Sequence, residues 1–597
     1  MTRLAAVTAL KKWVTPQLLH GFNRSLSVLV ALALTLTLIP QARAQAPAQA
    51  DRDAAARQAE ILQRQDELRR RQELERQIPP DRSGGGIDTR GLMPPVDASG
   101  AGLTCREINK ISISGAPNLS TSTRERIESE FSGRCLGVSE IEQILALITQ
   151  DYISRGFVTT RAYLPQQDLS TGQLEILVIE GVIEKILLED GAEGSVRASN
   201  AFPVSAGELL NLRDIEQGME QINRLASNNA VMDIRPGDAP GGSVVAVRNE
   251  PSTPFHASLS YDNQGSKSTG DEQYGVSLSA DRLFGLNEFV LYSHRQSAPH
   301  DEDRKLSESN SLTFVLPLGY STFTFTKSES RYVSMVNAPS GLDLQTSGTS
   351  ESDIWRLDRT VFRDQTSRVG LAGTLTMKSS KNYLEGLLLG VSSRRLSIFD
   401  LDTTLTTGFL GGSLTLELGY ARGLDFASAL KDGPNLPREA PRAQFEKYKY
   451  GYYFSRPFQV AGLDLAFTSQ LTGQIAKDTL YGSEQLLIGG IYTVRGFVNN
   501  TLSGDHGYYV RNEVSLRRTF SMNGTAMPMR FYMALDQGEV SNRVAGIPQG
   551  LLQGGAVGVT MSIKGGSLDI FTAYPIDMPD FLKAEEPQTW VRLSYSL

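Results

Sequence analysis

The sequence predicts a membrane all-β fold, an antiparallel transmembrane β-barrel, over its C-terminal half, and three observations carry that reading. From about Ser252 to Leu597 one short alternating segment follows another. No apolar run outside the N-terminal region reaches the ~18 residues of a spanning helix. The last alternating segment runs to Leu597, as expected where both terminal strands close a barrel and no strand edge may face lipid. A soluble sandwich would alternate in the same way, but roughly 350 residues exceed the ~250–300 at which single cores stop growing.

The alternation is explicit in Phe255–Tyr261, where Phe255, Ala257, Leu259 and Tyr261 share one parity and His256, Ser258 and Ser260 the other. A pleated strand sends successive side chains to opposite faces, so one side is apolar and the other polar. The pattern returns at Tyr274–Ala280, Leu312–Leu316, Val369–Met377, Leu414–Tyr420, Leu463–Phe467, Phe531–Leu535, Val557–Ile563 and Val591–Leu597. The opposite parity is mostly Ser, Thr, Gly, Asp and Arg, which suits a water-filled lumen.

The other end of the chain carries an address. Arg3, Lys11, Lys12 and Arg24 precede the apolar stretch Leu26–Ile39, followed by Pro40 and Ala42-Arg43-Ala44. This predicts a secretory signal peptide over residues 1–44, the apolar stretch being short for a membrane anchor. Signal and barrel together place the protein in the outer membrane, reached through an oxidising periplasm. The two cysteines, Cys105 and Cys135, both fall on the periplasmic side. An even count in that compartment favours one disulfide, worth roughly 3–4 kcal/mol on the chain-entropy model, over two free thiols.

Between address and barrel, Asp51 to about Gln77 is rich in Ala, Arg, Gln, Glu and Leu and free of Pro and Gly, a strong helix former. Glu60–Arg64 and Asp66–Arg70 are spaced for ion pairs along it. With few apolar residues it cannot join a dry core, and is either free in solvent or housed in a wet cavity. Residues 78–103 hold Pro79, Pro80, Gly84–Gly86, Pro94 and Pro95, a linker composition. Two units of similar layout follow, over 104–181 and 182–250. In the first, Ile108–Ile113 predicts a strand, Thr121–Phe131 and Val138–Arg155 helices, and Phe157–Leu164 and Leu174–Glu180 strands. In the second, Val182–Leu187 predicts a strand, Asn211–Leu225 a helix, and Ala230–Ile234 and Val244–Val247 strands. One layout used twice is an internal repeat.

These units resemble the two POTRA domains of two-partner secretion transporters (TpsB, haemolysin secretion/activation type). The resemblance rests on Tyr152-Ile-Ser-Arg-Gly-Phe-Val158, on Ala162-Tyr-Leu-Pro165 and on Gly172-Gln-Leu-Glu-Ile-Leu-Val-Ile-Glu-Gly181. It implies an N-terminal plug helix over 45–77, a linker, two α+β POTRA domains and a barrel of about 16 strands over 251–597, each strand of ~9–11 tilted residues. In the barrel, Gly489-Gly-Ile-Tyr-Thr-Val-Arg-Gly-Phe497 resembles the loop of the outer-membrane assembly superfamily that folds back into the lumen. Its tip is Val494, Arg495, Gly496 and Phe497. Gly504–Val514 is similar to the stretch that follows that loop in secretion transporters. Leu535-Asp536-Gln537-Gly538 resembles the family's Phe-x-Asp-x-Gly strand, with Ala534 standing at the aromatic position. Asp536 has the parity opposite Phe531, Met533 and Leu535, so its carboxylate points into the lumen, where Arg495 could meet it bidentately.

The function implied is export of a secreted TpsA-type exoprotein through an outer-membrane pore, with outer-membrane lipid around a monomer. Assembly of other barrels into the membrane is the alternative, against which two POTRA domains and a plug helix weigh. The net charge of −7 leaves no footprint for nucleic acid. The chain has five histidines and no G-x-S-x-G, H-E-x-x-H or P-loop pattern. We therefore expect no catalytic residues, no metal and no cofactor.

Overall fold

The computed structural model describes residues 46–77, 89, 92, 105–337 and 339–597. The expected signal peptide and nearly all of the expected linker lie outside the described residues. Helix α1 (Ala46–Gln77) starts five residues before the helix-forming run was expected to begin.

The first repeat comprises β1 (Arg106–Ile108), β2 (Lys110–Ser114), α2 (Thr121–Phe131), β3 (Arg134–Leu136), α3 (Val138–Ser154), β4 (Arg161–Tyr163) and β5 (Gln173–Ile179). Its core gathers Ile108, Ile127, Leu136, Ile144, Ile148, Tyr152, Leu174 and Ile176. The single strand expected over Ile108–Ile113 is two strands with different partners. β1 pairs with β3, while β2 runs parallel to β5. Between them the Asn109 N–H donates to the Gly172 carbonyl at 2.8 Å. The strand expected over Phe157–Leu164 shrinks to β4, because Gly156 turns at φ +96° and the Phe157 ring packs edge-on against Tyr152, 6.0 Å away. Cys105 and Cys135 are bonded, with Cα atoms 5.2 Å apart, ordinary disulfide spacing. The bond joins the chain just before β1 to β3, so it staples two paired strands where a plain loop was expected between the helices.

The start of α2 is tied to the end of α3 through one carboxylate. Ser120 caps α2 by accepting from the Thr123 N–H at 3.3 Å. Asp151 accepts from the Ser120 hydroxyl and N–H and from the Thr123 hydroxyl, and pairs with Arg155. Burial alone would raise the Asp151 carboxyl, but the Ser120 hydrogen bonds and Arg155 hold it below the usual carboxylate range.

The second repeat has the same plan: β6 (Val182–Glu189), α4 (Ala198–Ala201), α5 (Leu212–Asn223), β7 (Ala230–Pro236) and β8 (Gly242–Asn249), with β6 parallel and β7 antiparallel to β8. It sits on the near ends of the barrel strands. Gln221 of α5 donates to the Gly319 carbonyl at 2.9 Å, and Arg368 meets Glu220 at 2.8 Å. Arg363 also pairs with Glu220, and Tyr320 donates to Asp214. Burial pushes the Asp214 carboxyl up, the Tyr320 bond opposing it. Leu225 packs with Phe289, Leu291 and Val315 of the barrel.

Among the described residues, sixteen strands from Phe255–Asp262 to Gln588–Ser596 close into an antiparallel barrel, with the two-residue strand Leu387–Leu388 as an extra in one hairpin. Closure pairs Ser258–Asp262 with Arg592–Ser596. The apolar parity faces outward, as expected: Leu259, Leu278, Leu418, Met533 and Leu593 are all more than half exposed. The strands run from 8 to 21 residues, many longer than expected. The reason is legible along Ser321–Asn337, where the outward parity changes from Phe323 and Phe325 to Lys327, Glu329 and Arg331. The first two meet Trp355 in an aromatic patch, and Lys327 and Arg331 pair with Asp353 and Glu308. The ladder thus continues past the lipid band into water.

Candidate functional site

The strand Leu463–Ala476 pairs directly with His506–Met522, leaving the long connection between them free to fold into the lumen. There Leu486–Ile488 and Leu502–Gly504 form a small hairpin that carries the tip. Val494 and Phe497 are fully buried. They pack with Leu486, Ile488 and Leu502 of the loop and with Tyr509, Val540 and Leu552 of the wall. The lumen, expected to be mostly polar, holds a dry core where this loop rests.

Arg495 and Asp536 meet as expected. The guanidinium donates from Nε at 2.6 Å and from Nη2 at 2.7 Å to the two carboxylate oxygens, and the Arg495 backbone N–H adds a third bond at 3.1 Å. Arg495 is 5% and Asp536 1% exposed. Truncating one partner of such a buried pair strands the other charge, a loss of about 3–5 kcal/mol. Glu513 accepts from Arg495 Nη1 at 3.4 Å and pairs with Arg530, while Arg511 stands 4.0 Å from Asp536. Three guanidiniums and two carboxylates therefore share one spot on the wall.

Two glycines make room for the tip. A Cβ on Gly538 would stand 2.9 Å from Val494 Cγ2 and 3.1 Å from Ile488 Cγ2. A Cβ on Gly554 would stand 1.6 Å from the Arg495 carbonyl oxygen. Gly554 lies opposite Asp536 in register, at an irregularity in the pairing of the next two strands. Gly496 itself takes φ +106°, a conformation that favours glycine.

The base of the loop is held by charge. Glu484 pairs with Lys378, and Lys447 donates to its carboxylate at 3.1 Å and to its carbonyl at 2.8 Å. Beside it Arg394 lies over the Tyr481 ring, 4.1 Å from the centroid, and bonds Glu60 of α1 at 2.6 Å. The wall arginine takes Glu60, so the Glu60–Arg64 pair does not form; Arg64 meets Glu67 at 2.7 Å instead. Asp66–Arg70 forms at 3.1 Å, as its spacing implied.

Helix α1 runs through the lumen beside this loop. Gln63 bonds Asn382 at 3.0 Å, Arg69 bonds Ser309 at 2.9 Å, Glu73 bonds Arg295 at 3.0 Å and Gln77 bonds Ser277 at 2.7 Å. Its apolar contacts include Ala59 and Leu62 on Tyr332 and Leu74 on the cluster of Leu225, Phe289, Leu291 and Val315. A cavity of about 270 Å³ lined by Arg64, Glu67, Lys378 and wall serines and threonines flanks the helix, room for several waters. Of the wet-cavity and free-solvent readings, the first holds.

Sequence reasoning missed Glu513, the Glu484–Lys378–Lys447 cluster and Gly554. Charged residues at lumen parity inside strands, and the Gly554-Gly555 pair in a strand interior, were the signals available.

Known proteins resemble the chain along almost all of this architecture. Residues 241–561 match the family described as haemolysin secretion/activation protein ShlB/FhaC/HecB. Residues 107–181 match a ShlB-type POTRA domain and 182–236 a further POTRA domain. The outer membrane transporter CdiB of Dickeya dadantii (strain 3937) is 34% identical over 500 residues, covering 82% of this chain and 87% of its own length. The hemolysin transporter protein ShlB of Serratia marcescens is 28% identical over 504 residues, covering 84% of this chain and 88% of its own. Among solved structures, CdiB from Escherichia coli superposes with a TM-score of 0.79 at 31% identity, covering 92% of this chain and 99% of its own.

Proposed function

The chain belongs to the haemolysin secretion/activation family, and from that premise we propose how its parts work together. It is an outer-membrane transporter that exports a secreted exoprotein of a two-partner system, and it is not an enzyme. The barrel spans the membrane and the POTRA domains lie in the periplasm. The partner we propose is a large, β-rich TpsA-type polypeptide that arrives unfolded. The edge strands β2, β4 and β7 of the two POTRA sheets suit backbone pairing with an extended chain, which needs little sequence. The cargo then crosses inside the barrel, away from lipid, and its folding outside supplies the drive. One copy of the chain forms the whole pore.

The observation that supports this reading is the content of the lumen. A helix held mainly by hydrogen bonds and ion pairs that water or a passing chain can replace fills it, beside an inward loop seated on a buried ion pair and an apolar tip. Arg495, with Asp536, is the proposed functional anchor of the loop, and Gly538 its seat. Arg495→Ala, co-expressed with the exoprotein partner, should cut secretion at least about tenfold, in line with an anchor worth more than about 1.4 kcal/mol. The heat-modifiable barrel should be present at the wild-type level. Undiminished secretion at matched barrel levels would refute the anchor.

A further inference from the structure

Just beyond the tip, three successive backbone N–H groups of the inward loop converge on one carboxylate. Glu585 accepts from Val498 N at 2.7 Å, from Asn499 N at 3.2 Å to each oxygen, and from Asn500 N at 2.7 Å. The Asn500 amide also donates to the Lys583 carbonyl at 2.6 Å. Glu585 belongs to the connection between the strand Gly566–Asp577 and the last strand, Gln588–Ser596. That connection lies at the end of the barrel away from the POTRA domains. Its Met578 and Leu582 pack against the cluster that contains Val494 and Phe497. The Asp536 anchor is sealed in the wall, whereas Glu585 is only half-buried and reaches the loop from outside.

We propose that Glu585 is a positioning residue, an outer latch that keeps the inward loop seated. A carboxylate facing a run of N–H groups makes charge-assisted bonds, stronger than neutral ones. Because the donors are backbone, the latch depends on the acceptor at 585 and not on the side chain at Asn499. Glu585 is tied to the last strand and Asp536 to the middle of the wall, so the loop bridges separate parts of the barrel. The proposal rests on the loop's role in export given above, but its test does not.

With Cys105 and Cys135 bonded to each other, a Val498→Cys variant carries one free thiol at a half-buried position under the latch. Labelling by a membrane-impermeant maleimide on intact cells reads how often the loop lifts. Glu585→Ala in that background should speed labelling about tenfold, the loss of about 1.4 kcal/mol of seating free energy. Glu585→Gln, which keeps one carbonyl acceptor without the charge, should fall between, and Asn499→Ala should leave the rate unchanged. Equal rates with Glu and Ala at 585, in heat-modifiable barrels, would overturn the latch. Faster labelling with undiminished secretion would uphold the latch and refute the loop's part in export.

Discussion

At the scale of residues, Asp536 and Gly554 face each other across a strand pair and serve the same arginine in different ways. One takes the Arg495 guanidinium, the other leaves space for its carbonyl. Gly554→Ala should therefore unseat the tip without touching a charge. Its Cβ would meet backbone, which cannot swing away, so the expected cost is about 1–3 kcal/mol of loop seating. Secretion should fall as in Arg495→Ala while the barrel remains heat-modifiable; wild-type secretion would mean that the tip can sit elsewhere. Asp536 was legible because strand parity points its side chain inward, and Arg495 because its loop tip resembles one that folds back into the lumen. Gly554 was not, since what it accommodates is fixed by a fold-back across distant strands. Ala534, a small residue where an aromatic was expected, packs in a cluster with Tyr532, Phe571 and Trp590. The volume is supplied by neighbours that no local pattern names.

At the scale of elements, α2 and α3 depend on a junction that titrates. The Asp151 carboxyl lies below the usual range, so its stabilisation is complete above the unfolded carboxylate value and is lost as pH falls through the folded one. Asp151→Ala should cost the POTRA transition about 1 kcal/mol at neutral pH, the usual worth of a cap contact. The difference from wild type should shrink below pH ~4. Thermal unfolding of the full-length protein followed across pH reads this directly, and a pH-independent difference would assign the loss to packing. The helices here matched their sequence patterns closely, because an apolar stripe at helical spacing is a local signal. The short strands did not: β1, β2 and β4 are delimited by their partners, and pairing is not written in the segment itself. For α1, composition named the wet surroundings but could not choose between lumen and solvent. The choice is made by Asn382, Ser309, Arg295 and Ser277 on the barrel wall.

At the scale of the molecule, the polar fit of α1 predicts a pore that is shut until the helix is gone. Deleting residues 45–77 should raise single-channel conductance in planar bilayers several-fold, since a helix about 10–12 Å across leaves the lumen. Equal conductance with and without it would show that the loop alone closes the path. The direction in which α1 lies adds a constraint. Near its start, Asp51 accepts from the Ser340 N–H in the outer hairpin after the strand Ser321–Asn337. Its far end, Gln77, lies level with the middle of the strand Gln273–Asp281. The helix is therefore a thread passed through a ring from below, its leading end outermost and its trailing end leashed to the periplasmic domains. A thread so placed can be drawn back only the way it came, and a knot tied at its leading end on the cell surface would trap it for good.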